Sequence, residues 1–566
     1  MLIIKKLVKI TGQILFVISF IFFSTLEAKN FEKFNKAENI ADYFSGIILL
    51  NQSKYTDSYK YFKKLDGLEK NHPNYSRKYI YSLINSGNFN QAFNFAKKLD
   101  REQKKIFESN LIIGIKYFKD SKYDLAKEYF IKANKINSIS VLNDHIVKTL
   151  HIWSDLEDEN LEGAQLKLNQ LDNRFENLKK IQNVFLNCYF ESKDTDILFK
   201  KLISDENTDF SRYNYFYARH LNNRGKKIEA RKIVEIALKK YPRNLLLNQL
   251  KINFDIKKNF LDFKCSNKNE IVAELLYIAA NALSSQSYFQ ISNFYLNLSK
   301  YLNKDFNSFD TLLAENFYKI EDLESAKEIY QKLKNNGDAF SWYSSKQISR
   351  ILTKKNKKDK AIKLLTESYN NLHSKGVYEI FDYAEFLKNN DKFSDSIKYY
   401  TEILERIDAK HPLFPEVTDS RGVAYERNGE WNKAEKDLLT SLEVSPNQAY
   451  VINYLAYSWI EQGVKIEESL KMLEKANKIK SNDPYIIDSL GWALYKLKRY
   501  KESKDYLQLA VRLMPADPIV NDHYGDVLWK NGNEIQARYY WKYVLNLEKA
   551  EKDLKEKVKQ KLIKGL

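Results

Sequence analysis

The chain has 566 residues, of which only 16 are Gly and 8 are Pro, well below the averages of about 7% and 5%. This composition excludes a sandwich or barrel of many tight turns, and the 44% share of apolar residues excludes a chain that is disordered throughout. The scarcity of Gly and Pro predicts an all-helical protein. Lys and Arg number 92 against 74 Asp and Glu, which gives a net charge of +18. Because this charge is spread along the chain, we expect no nucleic-acid partner.

The first 28 residues have the features of a secretory signal. Lys5, Lys6 and Lys9 precede an apolar run at 14–23. The small residue Ala28 follows, and this order predicts a signal peptide at 1–28 that is cleaved after Ala28. Ten residues span about 15 Å as a helix, half of a bilayer core of about 30 Å. We therefore expect a periplasmic chain with no integral membrane span. A signal that stays as an anchor, peripheral membrane association and a cytoplasmic protein with a false signal are the alternatives.

The two cysteines and seven histidines do not form a recognisable site. No Cys lies at the end of the apolar run, so the signal is not of the lipoprotein type. Cys188 and Cys265 stand 77 positions apart, and we expect both to be small buried apolar residues. A disulfide in an oxidising periplasm is the alternative. His145 and His151 lie on different sides of a predicted helix, so we predict no metal site.

Between the signal and residue 414 the pattern is helical but irregular. Small residues recur twelve positions apart, as in Gly114 with Ala126 and Ala218 with Ala230. Large apolar residues lie between the members of each pair, which is typical of two helices packed closely together. The register is uncertain at 141–205 and 245–305.

The spacing becomes regular in the C-terminal third. Three columns of residues recur at intervals of 69 and then 34 positions, and 69 divides into 34 plus 35. This periodicity defines four best-formed repeats at 415–448, 449–483, 484–517 and 518–551. Small residues at repeat positions 8 and 20 let two helices approach closely, and prolines stop the second helix. The structural residues of these repeats are Gly422, Ala434, Pro446, Ala456, Ser469, Ala476, Leu490, Gly491, Ser503, Ala510, Pro515, Gly525 and Ala537.

These columns resemble the tetratricopeptide (TPR) repeat. The resemblance implies an all-α fold, a right-handed superhelical solenoid of about 13 helix-turn-helix repeats over 29–551, without separate domains. A basic helix or tail at 552–566 follows the last repeat, and its excess of Lys indicates a solvated face.

A binding surface follows from the same resemblance. The first helix of each TPR repeat lines a concave groove, and aromatic anchors beside charged groups suit a peptide or protein partner. The groove positions include Asp419 and Asn453, and Asp at position 5 disfavours a clamp for a C-terminal carboxylate. We predict the partner-binding residues to be Tyr457, Asp488, Trp492, Tyr495, Lys496, Asp522, Asp526, Trp529 and Lys530.

The stretches at 453–458, 488–495 and 521–529 resemble one exported group of TPR proteins in Gram-negative bacteria. Its best understood members are outer-membrane lipoproteins that act as adaptors for a periplasmic carboxy-terminal processing protease. This chain departs from them in lacking the lipidated Cys.

No phosphate-binding loop, nucleophile elbow or zinc-protease motif occurs, so we expect neither catalysis nor a cofactor. The preferred function is a non-catalytic periplasmic scaffold or adaptor that binds other envelope proteins or peptides and delivers substrates to a protease. The alternative is a cell-envelope factor that handles polysaccharide or peptidoglycan.

Overall fold

The computed structural model describes residues 36–70, 72–136, 140–256 and 263–566. Within these ranges the secondary structure consists of α-helices, three short 3₁₀ helices and the turns that join them, with no β-strand. The prediction of an all-α repeat protein is confirmed. The signal peptide predicted at 1–28 lies outside the described residues.

The chain divides into two compact units, one ending at His373 and the other running from Ser374 to Leu566. The described residues of the first unit form helices α1 to α19: Ala37–Asn51, Tyr55–Lys64, Pro73–Asn85, Phe89–Arg101, Phe107–Lys119, Tyr123–Asn134, Val141–Ser154, Leu161–Asn169, Glu176–Tyr189, Thr195–Ile203, Tyr213–Asn223, Lys227–Lys240, Leu245–Asp255, Lys268–Ser285, Phe289–Leu302, Ser308–Lys319, Leu323–Leu333, Asp338–Lys354 and Lys358–Asn370. The second unit forms helices α20 to α30: Val377–Lys388, Phe393–Arg406, Phe414–Arg427, Trp431–Val444, Ala449–Glu461, Ile466–Ile479, Pro484–Lys496, Tyr500–Leu513, Pro518–Lys530, Glu534–Asn546 and Lys552–Lys564.

Local sequence signals account for the helix ends in the second unit. Asp483 caps α26 through its Oδ1, which accepts hydrogen bonds from the backbone N–H groups of residues 485 and 486 at 3.1 and 3.3 Å. Asp517 caps α28 in the same way, and a proline occupies the first turn of each helix. At the other end of α28, Gly532 has a φ of +78°, which a residue with a side chain rarely adopts.

Within a repeat, the small residues bring the two helices into close contact. A Cβ on Gly491 would lie 2.7 Å from Leu507 Cγ and 3.2 Å from the backbone N of Leu507. Ser503 Oγ, at repeat position 20, donates a 2.7 Å hydrogen bond to the carbonyl oxygen of Gly491, at position 8. The two predicted positions therefore face each other across α26 and α27.

The first unit differs from a linear array because one helix packs against helices far earlier in the chain. Asn293 on α15 donates through Nδ2 to the hydroxyl oxygen of Tyr55, 238 residues earlier, at 3.1 Å. Tyr301, near the end of α15, stacks on Phe89 with ring centroids 3.5 Å apart. These contacts join most of the first unit into one continuous core, whereas several smaller clusters form the core of the second. A one-dimensional array without separate domains predicts only contacts between neighbouring repeats, so this arrangement departs from the expectation.

The expectation of two unpaired cysteines is wrong. Cys188 on α9 and Cys265, in the turn before α14, form a disulfide with Cα atoms 5.6 Å apart. Phe263 is buried against Phe185 and Phe216, at centroid distances of 5.6 and 4.6 Å, and brings the turn to α9. A separation of 77 residues reveals nothing about this proximity, because it depends on tertiary packing.

Candidate protein-binding surface

The first helices of the repeats in the second unit, α20, α22, α24, α26 and α28, are joined to one another by side-chain contacts. The Tyr454 hydroxyl donates to Glu426 at 2.7 Å, and the Trp492 indole N–H donates to Glu461 at 2.7 Å. We call the carboxylate-bearing surface of these helices the acidic inner face. It comprises Glu385, Asp419, Glu426, Glu461, Asp488, Asp522 and Asp526.

Trp492 is the centre of an aromatic stack on this face. Its indole lies against the Tyr495 ring at 4.6 Å and 5°, and against the His523 imidazole at 3.9 Å and 11°. The Lys496 ammonium lies 4.9 Å from the indole centroid. Only 7% of Trp492 is exposed, so this predicted anchor packs mainly between repeats.

Asp488 has a partner that the sequence did not reveal. His523 Nδ1 on α28 lies 3.0 Å from Asp488 Oδ2, and both side chains are buried. Burial lowers the pKa of His523, but the neighbouring carboxylate of Asp488 more than compensates, so the pKa lies above its usual value. The buried pair holds α26 to α28.

The C-terminal helix α30 covers the carboxylates of the last repeat. Lys561 Nζ lies 2.7–2.8 Å from all four carboxylate oxygens of Asp522 and Asp526. These two Asp residues are only 8% and 4% exposed. Burial and repulsion from Asp522 raise the pKa of Asp526 to about 6, although Lys561 opposes this shift. The predicted basic tail is therefore a helix that neutralises an acidic pair.

The end of the chain also covers Trp529. A side chain on Gly565 would overlap the Trp529 ring, and the Lys530 ammonium donates to the Leu566 carbonyl at 3.4 Å. Trp529 packs further on Trp541, with centroids 5.4 Å apart. Trp529 is half-buried by these contacts within the chain.

The accessible part of the predicted surface is smaller than the sequence pattern suggested. Tyr457 and Tyr495 are half-buried, and Lys496 is exposed. The exposed Glu461 lies beside them, and it was not among the predicted binding residues although it occupies position 13 of its repeat. His523 and Lys561 were also missed, since neither lies at a groove position of the repeat.

Asp419 extends the acidic inner face onto α22. Burial raises the pKa of its carboxyl to about 7, and the carboxylates of Glu416 and Glu385 contribute, while Lys388 opposes the shift. Asp419 and Glu461 have no ion-pair partner among the described residues. The exposed Glu461 therefore offers its negative charge to a basic partner, whereas Asp419 carries only part of a charge at neutral pH.

The first unit contains a cleft of about 450 Å³ between α9, α11, α13, α14 and α16. Asn177, Asn244 and Asn281 contribute amide groups to its lining. Arg212 also lines it, but its guanidinium is held by Glu274 at 2.6 and 2.8 Å and stacks on the Tyr277 ring at 3.9 Å. No sequence pattern indicates this cleft, because its walls come from five separate helices.

Stacked pairs of helices of this kind are typical of repeat proteins that act as protein-interaction scaffolds. Residues 303–550, somewhat less than half of the chain, match the family model of the tetratricopeptide repeat, and this segment is therefore identified as a run of TPR repeats. TPR repeat-containing protein PA4667 of Pseudomonas aeruginosa is 26% identical over 176 residues, which cover 31% of this chain and 29% of that protein. The chain thus matches less than a third of the length of this curated relative.

Two solved structures are similar over about a third of the chain. MamA 41-end from Desulfovibrio magneticus RS-1 is 17% identical with a TM-score of 0.27, and covers 32% of this chain and 99% of that chain. YrrB, described as a TPR protein with an unusual peptide-binding site, is 13% identical with a TM-score of 0.27, and covers 33% of this chain and 92% of that chain. At these TM-scores neither structure bears on function.

Among the described helices, none is long and apolar enough to cross a membrane.

Proposed function

We propose that the chain is a non-catalytic scaffold of the cell envelope whose acidic inner face binds a basic, aromatic-containing segment of another protein. The observation that carries this proposal is the succession of carboxylates and aromatic rings on the first helices of neighbouring repeats. Glu461, Tyr457 and Tyr495 form its accessible centre. A local acidic surface on a chain of net charge +18 favours a basic ligand there and not elsewhere.

The test is a binding titration with two fluorescent peptides of equal length, one containing Lys and Tyr and the other Glu and Tyr. We expect the basic peptide to bind and the acidic peptide not to bind. Glu461→Gln should weaken binding about 3–10-fold, because it removes an exposed carboxylate from the face. Glu467→Gln on α25 is the matched control, since it removes the same charge from an exposed position on a second helix.

An aromatic pair of variants separates anchoring from charge. Tyr495→Ala should weaken binding of the basic peptide, whereas Tyr539→Ala on the exposed side of α29 should leave it unchanged. The buried Trp492 is unsuitable for this purpose, because its truncation also removes packing between repeats. Binding of the acidic peptide instead, abolished by moderate salt, would assign recognition to the Lys-rich surface.

The envelope location and the partner are further parts of the proposal. The basic, apolar and small residues of 1–28 support export, and the resemblance to protease adaptors makes a periplasmic processing protease and its substrates the first partners to test. A photo-crosslinker at Lys496 should capture such a protein in intact cells. The same crosslinker at Glu467 is the control, and equal capture from both positions would contradict a role for the inner face.

The cleft in the first unit favours a second candidate function, the binding of envelope glycan. Amides such as those of Asn177, Asn244 and Asn281 suit the hydroxyl groups of a sugar. Soluble peptidoglycan fragments should bind the chain, and Asn281→Leu should abolish that binding without affecting the basic peptide. Unchanged glycan binding in this variant would exclude the cleft.

A further inference from the structure

The Cys188–Cys265 disulfide lies beside a histidine that is oriented as a metal ligand. His220 Nδ1 on α11 lies 3.1 Å from Cys188 Sγ. The Nδ1 atom and both sulfur atoms all lie within 4.8 Å of one another. No metal site was predicted from the sequence, since the three residues are distant from one another in the chain.

The second nitrogen of His220 has the partner that zinc-binding histidines commonly have. Nε2 lies 3.2 Å from Asp196 Oδ1, and a carboxylate can only accept at that distance. In the neutral imidazole the proton is therefore on Nε2, and the lone pair of Nδ1 is directed at the sulfur atoms. Lys226 Nζ, 2.9 Å from Asp196 Oδ2, keeps the carboxylate in place.

A disulfide sulfur carries no hydrogen, so Cys188 cannot donate a hydrogen bond to Nδ1. The Nδ1 lone pair is therefore directed at a sulfur atom that does not use it. This orientation is what a metal ligand requires. Two thiolates and one imidazole form a donor set suited to Zn²⁺, with Zn–S bonds of about 2.3 Å and Zn–N bonds of about 2.0 Å. A tetrahedral ion with these bond lengths places its ligand atoms about 3.5–3.8 Å apart. Nδ1 already lies 3.1 Å from Cys188 Sγ, whereas the two sulfur atoms must separate from bonding distance to about 3.8 Å once the disulfide is reduced.

We propose that Cys188, Cys265 and His220 form a redox-controlled zinc site that is closed by the disulfide and opened by reduction. A dithiol reductant supplies two electrons and two protons by disulfide exchange, becomes a disulfide itself and leaves two protein thiols. Zn²⁺ then displaces both thiol protons into solvent and accepts the Nδ1 lone pair. Water completes the fourth position. Cys265 is half-exposed, which gives reductant and metal access to the site.

The test compares the oxidised chain with the same chain reduced by a phosphine under argon. The phosphine takes oxygen from water to form its oxide, and the two hydrogens of that water go to the thiols. After removal of the phosphine, Co²⁺ is the spectroscopic probe and Zn²⁺ the competitor. We expect one Co²⁺ per reduced chain, with the visible absorption of a tetrahedral ion and a thiolate-to-cobalt band. The oxidised chain should show neither, and one equivalent of Zn²⁺ should abolish both.

Two variants test the individual ligands without altering the cysteines. His220→Gln should weaken Zn²⁺ binding at least tenfold, and Asp196→Asn should weaken it about 10–100-fold because the imidazole loses its orientation. His145→Gln is the matched control, since His145 is a buried histidine on α7 outside the cluster.

Circular dichroism of the reduced chain accompanies the titration. Equal metal binding by the oxidised and reduced chains, an octahedral cobalt spectrum, or loss of helix on reduction would each overturn the proposal. So would unchanged affinity in His220→Gln. None of these outcomes depends on the peptide-binding function proposed above.

Discussion

Substitution of Gly491 by Ala tests the register of the repeats most directly. The added Cβ would lie 2.7 and 2.9 Å from Leu507 Cγ and Cδ2 and 3.2 Å from the Leu507 backbone N. Leu507 is fully buried, so either its side chain or the helix must move. Overpacking of this kind costs about 1–3 kcal/mol, whereas Gly to Ala in a helix favours folding by about 0.5–1 kcal/mol. We expect a net local destabilisation of about 1–2 kcal/mol.

Hydrogen exchange of α26 and α27 measures this local effect without assuming that the whole chain unfolds in one step. The slowest amides there should exchange about 5–30-fold faster in the Gly491→Ala variant. Gly163→Ala on α8 is the matched control, since the three atoms nearest to the added Cβ belong to the flexible side chain of Glu159. That variant should exchange no faster than the native chain. Equal behaviour of the two variants would refute the close contact between positions 8 and 20.

Three further changes probe the C-terminal helix, the acidic inner face and export. Lys561→Met leaves two buried carboxylates without their cation, which should cost about 3 kcal/mol and speed amide exchange in α30, while Lys561→Arg should preserve protection. Asp419 has a pKa raised from 3.8 to about 7, so its contribution to stability is present below pH 4 and is lost as the pH rises to 7. The free energy of unfolding of the native chain, measured by urea denaturation relative to that of Asp419→Asn, should therefore be lower at pH 7.5 than at pH 4.5 by roughly 2 kcal/mol after allowance for partial exposure. An equal difference between the two chains at both pH values would contradict the raised pKa. Phe16→Asp with Ile18→Asp should keep the chain out of the periplasmic fraction, because each charge in an apolar run costs about 2.5–3.5 kcal/mol, and export of this variant would disprove the signal.

The sequence alone was sufficient for the helical fold and the presence of TPR repeats. Scarce Gly and Pro indicate helices. The small residues Gly491 and Ser503, twelve positions apart, and the capping residue Asp483 make their contacts within one helix pair. Contacts within a helix pair recur at the same positions of every repeat, so they produce a periodic pattern that is visible in a single sequence. The groove positions also located Asp488, Asp522 and Asp526 on first helices, but their burial could not be inferred from position.

Only the tertiary structure decided which surfaces remain accessible. Three contacts join residues that lie far apart in the chain or belong to no repeat position. They are the packing of α15 against Tyr55 and Phe89, the ion pair of Lys561 with Asp522, and the disulfide between Cys188 and Cys265. Such contacts depend on how individual side chains fit one another after the helices have packed. They follow no period, so a repeat pattern determines the helices that are available but not the partners that each face acquires.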